Sequence, residues 1–180
     1  MYQIVKSIAV TLICLAAVNA NAQWQPGKSS SKGTTEVQKT IERFVAKDEG
    51  LKAFFDEAYG YAIFPGVGKG GIGIGGAFGR GEVYEQNQFV GTARLTQISI
   101  GFQFGGQKYS EVVFFGSKEV LDDFKRGNFE FSAQASAVAV TAGASADAAY
   151  SNDVAVFTMA IGGLMYEATI GGQKFSYTPK

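Results

Sequence analysis

The chain contains no histidine and only one cysteine, Cys14, among its 180 residues. Without histidine there is no imidazole base, no Ser-His or Cys-His catalytic pair and no histidine-ligated zinc site. Sixteen basic residues balance sixteen acidic residues, so no overall positive field attracts nucleic acid. These absences predict a protein that is not an enzyme and that has no cofactor and no nucleic-acid partner.

An apolar run at residues 8–18 is too short for a comfortable membrane span. It follows the basic Lys6 and precedes Ala20-Asn21-Ala22, a small-x-small cleavage pattern. This order predicts a secretory signal peptide over residues 1–22, with an uncleaved anchor as the alternative. Cleavage would remove Cys14, so no disulfide could form. The protein is therefore expected in the periplasm or outside the cell, where it could associate with membranes.

Three helices are expected after a polar, flexible leader at residues 23–34. Apolar residues at helical spacing predict the first helix over residues 35–46 and the second from Asp48 to about Ala58. A third helix should begin after Ser117, its N-cap, and end at Gly127. Residues 35–180 are expected to form one domain.

After Pro65 the apolar period changes from that of a helix to the period of two that is typical of strands. The predicted strands cover residues 71–81, 95–106, 108–115, 129–143, 154–161, 164–170 and 175–177. Glycine pairs at 105–106 and 162–163 mark turns between them. The pattern predicts an α+β fold, an antiparallel β-sandwich or partly closed barrel with two N-terminal helices and one inserted helix.

The first predicted strand has one face that carries almost no side chains. Its odd positions from Gly71 to Gly81 are glycine except for Ala77, while Phe78 and Arg80 lie among the even positions. Glycine weakens a strand, and a row of glycines marks close approach by another group. The bare face is therefore either a tight packing site or a surface shaped for a ligand.

The segment Gly66-Val-Gly-Lys-Gly-Gly71 is similar to a phosphate-binding loop but departs from it twice. Ile63 holds the position of the first glycine, and Gly70 replaces the hydroxyl residue that would bind magnesium. Overlapping dinucleotide fingerprints fail because a strand follows them rather than a helix. Lys69 among free backbone N–H groups would form an anion-binding nest, or else it is a solvated lysine at a loop tip. The other cations that could join it are Arg80, Lys108, Lys125, Arg126 and Lys174.

A hexapeptide occurs twice in slightly different form. Residues 105–110 read Gly-Gly-Gln-Lys-Tyr-Ser, and residues 171–176 read Gly-Gly-Gln-Lys-Phe-Ser. Each copy lies where one predicted strand turns into the next. The repeat indicates either two equivalent hairpins in a pseudo-symmetric sheet or a chance similarity of glycine turns.

Two segments resemble the SYLF domain family. They are the glycine-rich stretch that contains Phe64-Pro-Gly-Val-Gly-Lys-Gly-Gly71, and the segment Leu95-Thr-Gln-Ile-Ser-Ile-Gly-Phe-Gln-Phe-Gly-Gly-Gln107. Residues 133–149 and 157–175 resemble the C-terminal part of that domain, so the likeness covers residues 36–177. Members of the family are described as lipid-binding modules, which in eukaryotes bind phosphoinositides and, in yeast actin-patch proteins, actin filaments.

The resemblance implies a non-enzymatic, exported domain that binds an anionic lipid or membrane surface. The candidate lipid-binding residues are Lys69, Arg80, Lys108 and Lys174. The alternative is a structural or protein-interaction component of the cell envelope, which would pair with a partner through its edge strands.

Overall fold

The fold is an eight-stranded sheet with three α-helices and a short 3-10 helix. The computed structural model describes residues 35–72, 74–100, 106–127, 129–131, 136–162 and 168–180. The elements in chain order are α1 (Thr35–Lys47), α2 (Leu51–Glu57), β1 (Gly60–Ile72), β2 (Ile74–Glu85), β3 (Gln88–Ile100), β4 (Gly106–Phe115), α3 (Lys118–Lys125), β5 (Ser136–Ala139), the 3-10 helix (Ala144–Asp147), β6 (Val154–Gly162), β7 (Ala168–Thr169) and β8 (Gln173–Pro179). None of the described helices has the length and apolar character needed to span a membrane.

The sheet has the strand order β7-β5-β6-β4-β1-β2-β3-β8. All described pairs are antiparallel except β5 with β6, which run parallel. The predicted α+β class, with two N-terminal helices and one inserted helix, is confirmed.

The sheet curls, because its two end strands are consecutive in the chain. Only residues 170–172 separate β7 from β8, and a chain that short spans at most about 15 Å. Gln173 on β8 reaches across the interior to β4, where its Nε2 donates to Glu111 Oε2 at 3.0 Å. The structure is therefore a single curled sheet that is left open between β7 and β8. Of the two predicted alternatives it corresponds to the partly closed barrel, not to the two-layered sandwich.

Strand β1 begins before Pro65, which lies at a bulge inside the strand. The register of β1 against β2 shifts between Ile63 and Gly66. A bulge tolerates proline, which has no N–H for the ladder. The Ser110 hydroxyl on β4 donates to the Pro65 carbonyl oxygen at 2.8 Å and so stabilises the bulge. The change of period at Pro65 therefore marks an irregularity within a strand, not the start of one.

One face of the sheet, called the outer face here, carries α1 and α2 over part of its length. Phe44 of α1 and Phe55 of α2 are buried against Tyr61 and Phe114 of the sheet. The rings of Phe55 and Phe114 meet edge to face, with centroids 4.8 Å apart, a favoured aromatic geometry. The helices cover only the end of the sheet where β1 begins.

The opposite, inner face is closed by α3 and by aromatic residues of β8 and the segment before β5. Phe124 of α3 packs against Phe175 of β8 with ring centroids 5.1 Å apart. Phe129 and Phe131 contact the same Phe175 ring. The Phe175 ring also lies 5.8 Å from that of Phe64 on β1. Because residues from both halves of the chain share this cluster, the curled sheet closes around an aromatic core.

Two predicted strands differ in the structure. The predicted strand over 71–81 is divided between β1, which ends at Ile72, and β2, which begins at Ile74; these two residues pair with each other. Of the predicted strand over 129–143, residues 132–135 lie outside the described residues, and the described part is strand at Ser136–Ala139 with a single bridge at Glu130. Gly143 ends it with a φ of 78° and precedes the 3-10 helix, a conformation that glycine adopts without steric strain. Outside the described residues lie the predicted signal peptide (1–22), leader (23–34) and turn residues Gly105 and Gly163.

Candidate functional site

Part of the outer face is not covered by α1 and α2. This uncovered face is built from the glycine-rich ends of β1 and β2 and the adjoining ends of β3, β4 and β8. Their paired residues form three rows across the sheet. We call them the tip row, nearest the β1–β2 turn, then the central row and the arginine row. Successive rows on one face lie about 7 Å apart.

The central row has a cation at each end and an aromatic ring in the middle. The register aligns Lys108 of β4, Gly68 of β1, Phe78 of β2, Thr96 of β3 and Lys174 of β8. Four strand spacings separate the two lysine backbones by about 19 Å. Lys174 also pairs with Glu130, at 3.5 Å between Nζ and Oε2, in an exposed contact that solvent screens.

The arginine row places Arg80 of β2 directly opposite Arg94 of β3. Like charges in direct cross-strand pairs are destabilising, so this pair favours a nearby anion. The Arg80 guanidinium carbon lies 5.8 Å from the Phe78 ring centroid, within cation–π range. The two arginines line a cleft beside Glu36, near the start of α1.

The tip row is almost bare. It aligns Gly106, Gly70 and Gly76 with Ile98 of β3. Ile98 is 79% exposed, and Phe78 in the next row is 50% exposed. A pair of large apolar side chains therefore lies in the open, with glycine backbone beside it.

The glycines of β2 have different roles on the two faces. A Cβ on Gly81 would lie 2.4 Å from the Ile63 carbonyl oxygen and 2.6 Å from Phe64 Cδ1, on the inner side. A Cβ on Gly79 would lie 2.8 Å from Val67 Cγ2. On the uncovered face, a Cβ on Gly68 would meet no atom within 4 Å. The bare face noted in the sequence is thus the packing face, and the flat surface on the other side comes from other glycines.

Lys69 lies on the inner face, away from the other predicted cations. It pairs with Gln107 on one side and Ala77 on the other, so its segment is a paired strand and neither a loop tip nor an anion-binding nest. Burial lowers the pKa of the Lys69 ammonium, while the nearby Glu111 carboxylate opposes that change. Lys69 therefore does not belong to the uncovered face.

The inner face near Lys69 holds a cluster of buried polar residues. Glu111 and Gln173 are fully buried, and the Gln173 amide also lies 3.4 Å from the Tyr109 hydroxyl. Burial raises the pKa of the Glu111 carboxyl to about 7, and its Oε1 has no hydrogen-bond partner among the described residues. Gln97 is 4% exposed and donates from Nε2 to the Gly171 carbonyl oxygen at 2.7 Å.

Of the four predicted lipid-binding residues, the structure brings Arg80, Lys108 and Lys174 onto the uncovered face. The two other cations weighed from the sequence lie at the C-terminal end of α3, where Lys125 Nζ pairs with Glu85 Oε2 at 2.6 Å and the C-cap residue Arg126 pairs with Asp123. The residues missed by sequence reasoning are Arg94, Phe78 and Ile98. The alternation of β3 puts Arg94, Thr96 and Ile98 on one side, but only the register shows which side that is.

The repeated hexapeptide occupies equivalent places at the two ends of the rows. In both copies the glutamine and the aromatic residue point to the inner face, and the lysine points to the uncovered face. The first copy enters β4 and the second enters β8, on opposite sides of β1, β2 and β3. Neither copy lies in a hairpin, because β3 is not adjacent to β4 and β7 is not adjacent to β8 in the described sheet, so the prediction of two hairpins is wrong. The two copies nevertheless begin strands at equivalent places, and they account for the symmetric placement of Lys108 and Lys174.

Comparison with known proteins shows which protein family part of this chain is similar to. Residues 96–178 match the family model described as "Ysc84: Las17-binding protein actin regulator". The chain is also similar to "Beta cell expansion factor A" of Aeromonas veronii, with 26% identity over 134 residues, which is 74% of this chain and 51% of that protein. The chain thus spans about half the length of this curated relative. The matched stretch, residues 96–178, runs from the end of β3 through β4, α3 and β5 to β7 into β8, and it is similar to the Ysc84 family, also called SYLF.

Proposed function

We propose that this protein is a non-enzymatic, exported domain that binds anionic lipid surfaces through its uncovered face. The observation that carries the proposal is the convergence of Arg80, Arg94, Lys108 and Lys174 on one face of the sheet that no described helix covers. The predicted signal peptide supports export, since it would deliver the domain to the membranes of the envelope. Phosphoinositide-like headgroups are one anionic class that this face would accept.

The spacing of the cations favours a surface rather than a single small ligand. The lysines of the central row lie about 19 Å apart, too far for both to contact one phosphate group. A membrane offers many anionic groups at this spacing, and each basic residue near such a surface contributes about 1 kcal/mol. Gly68 adds no side chain between the cations, and the long lysine stems can extend toward separate anionic groups of the surface.

Reversing three of these charges is expected to abolish most of the binding. The triple variant Arg80→Glu, Lys108→Glu, Lys174→Glu removes three attractive contacts of about 1 kcal/mol each, so affinity for phosphatidylserine vesicles should fall about 100-fold or more. Co-sedimentation with phosphatidylserine and with phosphatidylcholine vesicles measures the change. The wild type should prefer the anionic vesicles and lose this preference at high salt.

A matched control changes net charge equally on other surfaces. Lys47→Glu, Lys118→Glu, Arg126→Glu alters exposed cations of α1 and of the α3 region, and it should leave vesicle binding within about threefold of wild type because screening confines each charge to its own neighbourhood. Equal losses in both triples would show that only net charge matters and would contradict a specific face. Failure of the wild type to sediment with either vesicle would refute lipid binding.

A second candidate function is binding of a protein partner at a sheet edge. The matched family model is described as Las17-binding, and β8 lies at the end of the sheet. Beyond β3, the described residues pair with β8 only at the bridge between Glu130 and Lys174, and an incompletely paired edge can accept another strand. Size-exclusion chromatography with light scattering separates the proposals: a strict monomer that binds vesicles supports the lipid surface.

A further inference from the structure

We propose that the uncovered face enters the bilayer with its tip row foremost, so that Ile98 and Phe78 reach the acyl-chain boundary while Lys108 and Lys174 stay at the level of the phosphates. This inference rests on the proposed lipid binding and adds the depth and the orientation of the bound domain. It also names two apolar residues as part of the binding site.

The first observation is an inversion of the usual pattern in β3. In an antiparallel sheet with one solvated face, apolar side chains point inward and polar ones outward. Here the neighbours are reversed: Gln97 is 4% exposed and Ile98 is 79% exposed. A buried polar residue beside an exposed large apolar residue is stronger evidence for a binding surface than one exposed apolar side chain by itself. Water is not the environment that the Ile98 side chain favours.

The second observation is the order of chemistry along the face. The tip row carries Ile98, the central row carries Phe78 between Lys108 and Lys174, and the arginine row follows. The two steps from tip to arginines measure about 13 Å. Interfacial segments insert about 5–10 Å beyond the headgroup boundary. One row spacing of about 7 Å falls within this depth, so the apolar residues can enter the bilayer while the cations behind them stay at the headgroups.

The third observation is that few of the described side chains lie beside the apolar pair. Three glycines complete the tip row, and Gly68 lies beside Phe78 in the central row. A Cβ on Gly68 would meet no atom within 4 Å. The glycines beside Ile98 and Phe78 let both apolar groups contact lipid while the backbone lies close to the surface. The long stems of Lys108 and Lys174 can extend past them toward the phosphates.

Removing the apolar pair should weaken membrane binding without unfolding the protein. The double variant Phe78→Ser, Ile98→Ser is expected to lower the partition coefficient on anionic vesicles about tenfold or more, because two large side chains lose their transfer into an apolar environment. Thermal unfolding should be nearly unchanged, since both side chains are exposed in the free protein. Equal partition of variant and wild type would overturn the inference.

Depth is measured directly by tryptophan quenching with lipids brominated on the acyl chains. Trp24, the single tryptophan of the chain, is replaced by phenylalanine, and Ile98→Trp, Phe78→Trp or Glu49→Trp is introduced singly. Quenching should be strongest at position 98, strong at 78 and weak at 49, an exposed position in the turn between α1 and α2. Vesicle binding with no more quenching at 98 than at 49 would overturn insertion and leave the proposed function intact. Absence of vesicle binding by the wild type would overturn the proposed function itself.

Discussion

Replacing Gly81 by alanine is expected to lower the melting temperature by about 10 °C. The new Cβ would lie 2.4 Å from a main-chain oxygen, that of Ile63, and 2.6 Å from the Phe64 ring. The bulge that holds Phe64 and Pro65 is itself bonded to β4 through Ser110, so the backbone cannot yield freely. Overpacking of this kind costs about 3 kcal/mol, and each kcal/mol shifts the melting temperature by roughly 2–4 °C.

Gly68→Ala is the matched control for this change. It adds the same methyl group to the neighbouring strand on the uncovered face, where no atom lies within 4 Å. Because alanine is favoured over glycine inside a strand by about 0.5–1 kcal/mol, this variant should be as stable as wild type or slightly more so. Thermal unfolding followed by circular dichroism compares the three proteins. Equal melting temperatures for Gly81→Ala and Gly68→Ala would contradict the division of the glycines into a packing face and a flat surface.

Replacing Glu111 by glutamine is expected to stabilise the protein at pH 8 by about 3 kcal/mol and to have little effect at pH 4.5. Burial raises the pKa of this carboxyl from 4.5 to about 7 in the folded state. Between these values the folded state binds more protons than the unfolded state, so the stability that Glu111 contributes is complete below pH 4.5 and is lost as pH rises through 7. Glutamine has the same shape, keeps an acceptor oxygen for Gln173 and does not ionise.

Urea unfolding at several pH values measures the difference in the free energy of unfolding between wild type and Glu111→Gln. Hydrogen bonds lower the pKa values of Asp48 and Glu85, so these two carboxyl groups contribute stability that is lost as pH falls. Both groups are present in wild type and variant, so the difference between the two proteins reports Glu111 alone. Glu42→Gln, at an exposed position of α1, serves as the control: it also removes one carboxyl group but keeps Glu111, so its stability should still fall as pH rises through 7. Parallel profiles for wild type and Glu111→Gln would show that the carboxyl ionises as easily in the fold as in the unfolded chain.

The helices were predictable because each is short and locally determined. Residues 35–46 were predicted and Thr35–Lys47 is helical; Ser117 precedes α3, and Gly127 follows it with a φ of 74°. In contrast, the first half of β1 was missed. Tyr61, Ala62, Ile63 and Phe64 are all buried, and a strand buried on both faces shows no alternation by which it could be recognised.

The sequence indicated which cations could bind an anion, but not which of them lie together on the uncovered face. Arg80, Lys108 and Lys174 were identified as cations, but they are separated by many residues and meet only through the register of β1, β2, β3, β4 and β8. Lys69 was grouped with them because a cation among free backbone N–H groups would form an anion-binding nest. A strand turns alternate side chains to opposite faces, and Lys69 points inward.

What the sequence by itself determined is local: the period-two glycines, the helix boundaries, the absence of histidine and the repeated hexapeptide. Only the tertiary structure decided which side of each strand is buried. The aromatic cluster around Phe124 and Phe175 fills the inner side, where Gly79 and Gly81 make room for Val67 and Phe64. The physical reason is that alternation specifies two faces but does not say which one faces the core. That choice depends on where the sheet curls and where the helices pack, and it leaves Ile98, Phe78 and the cations in the open.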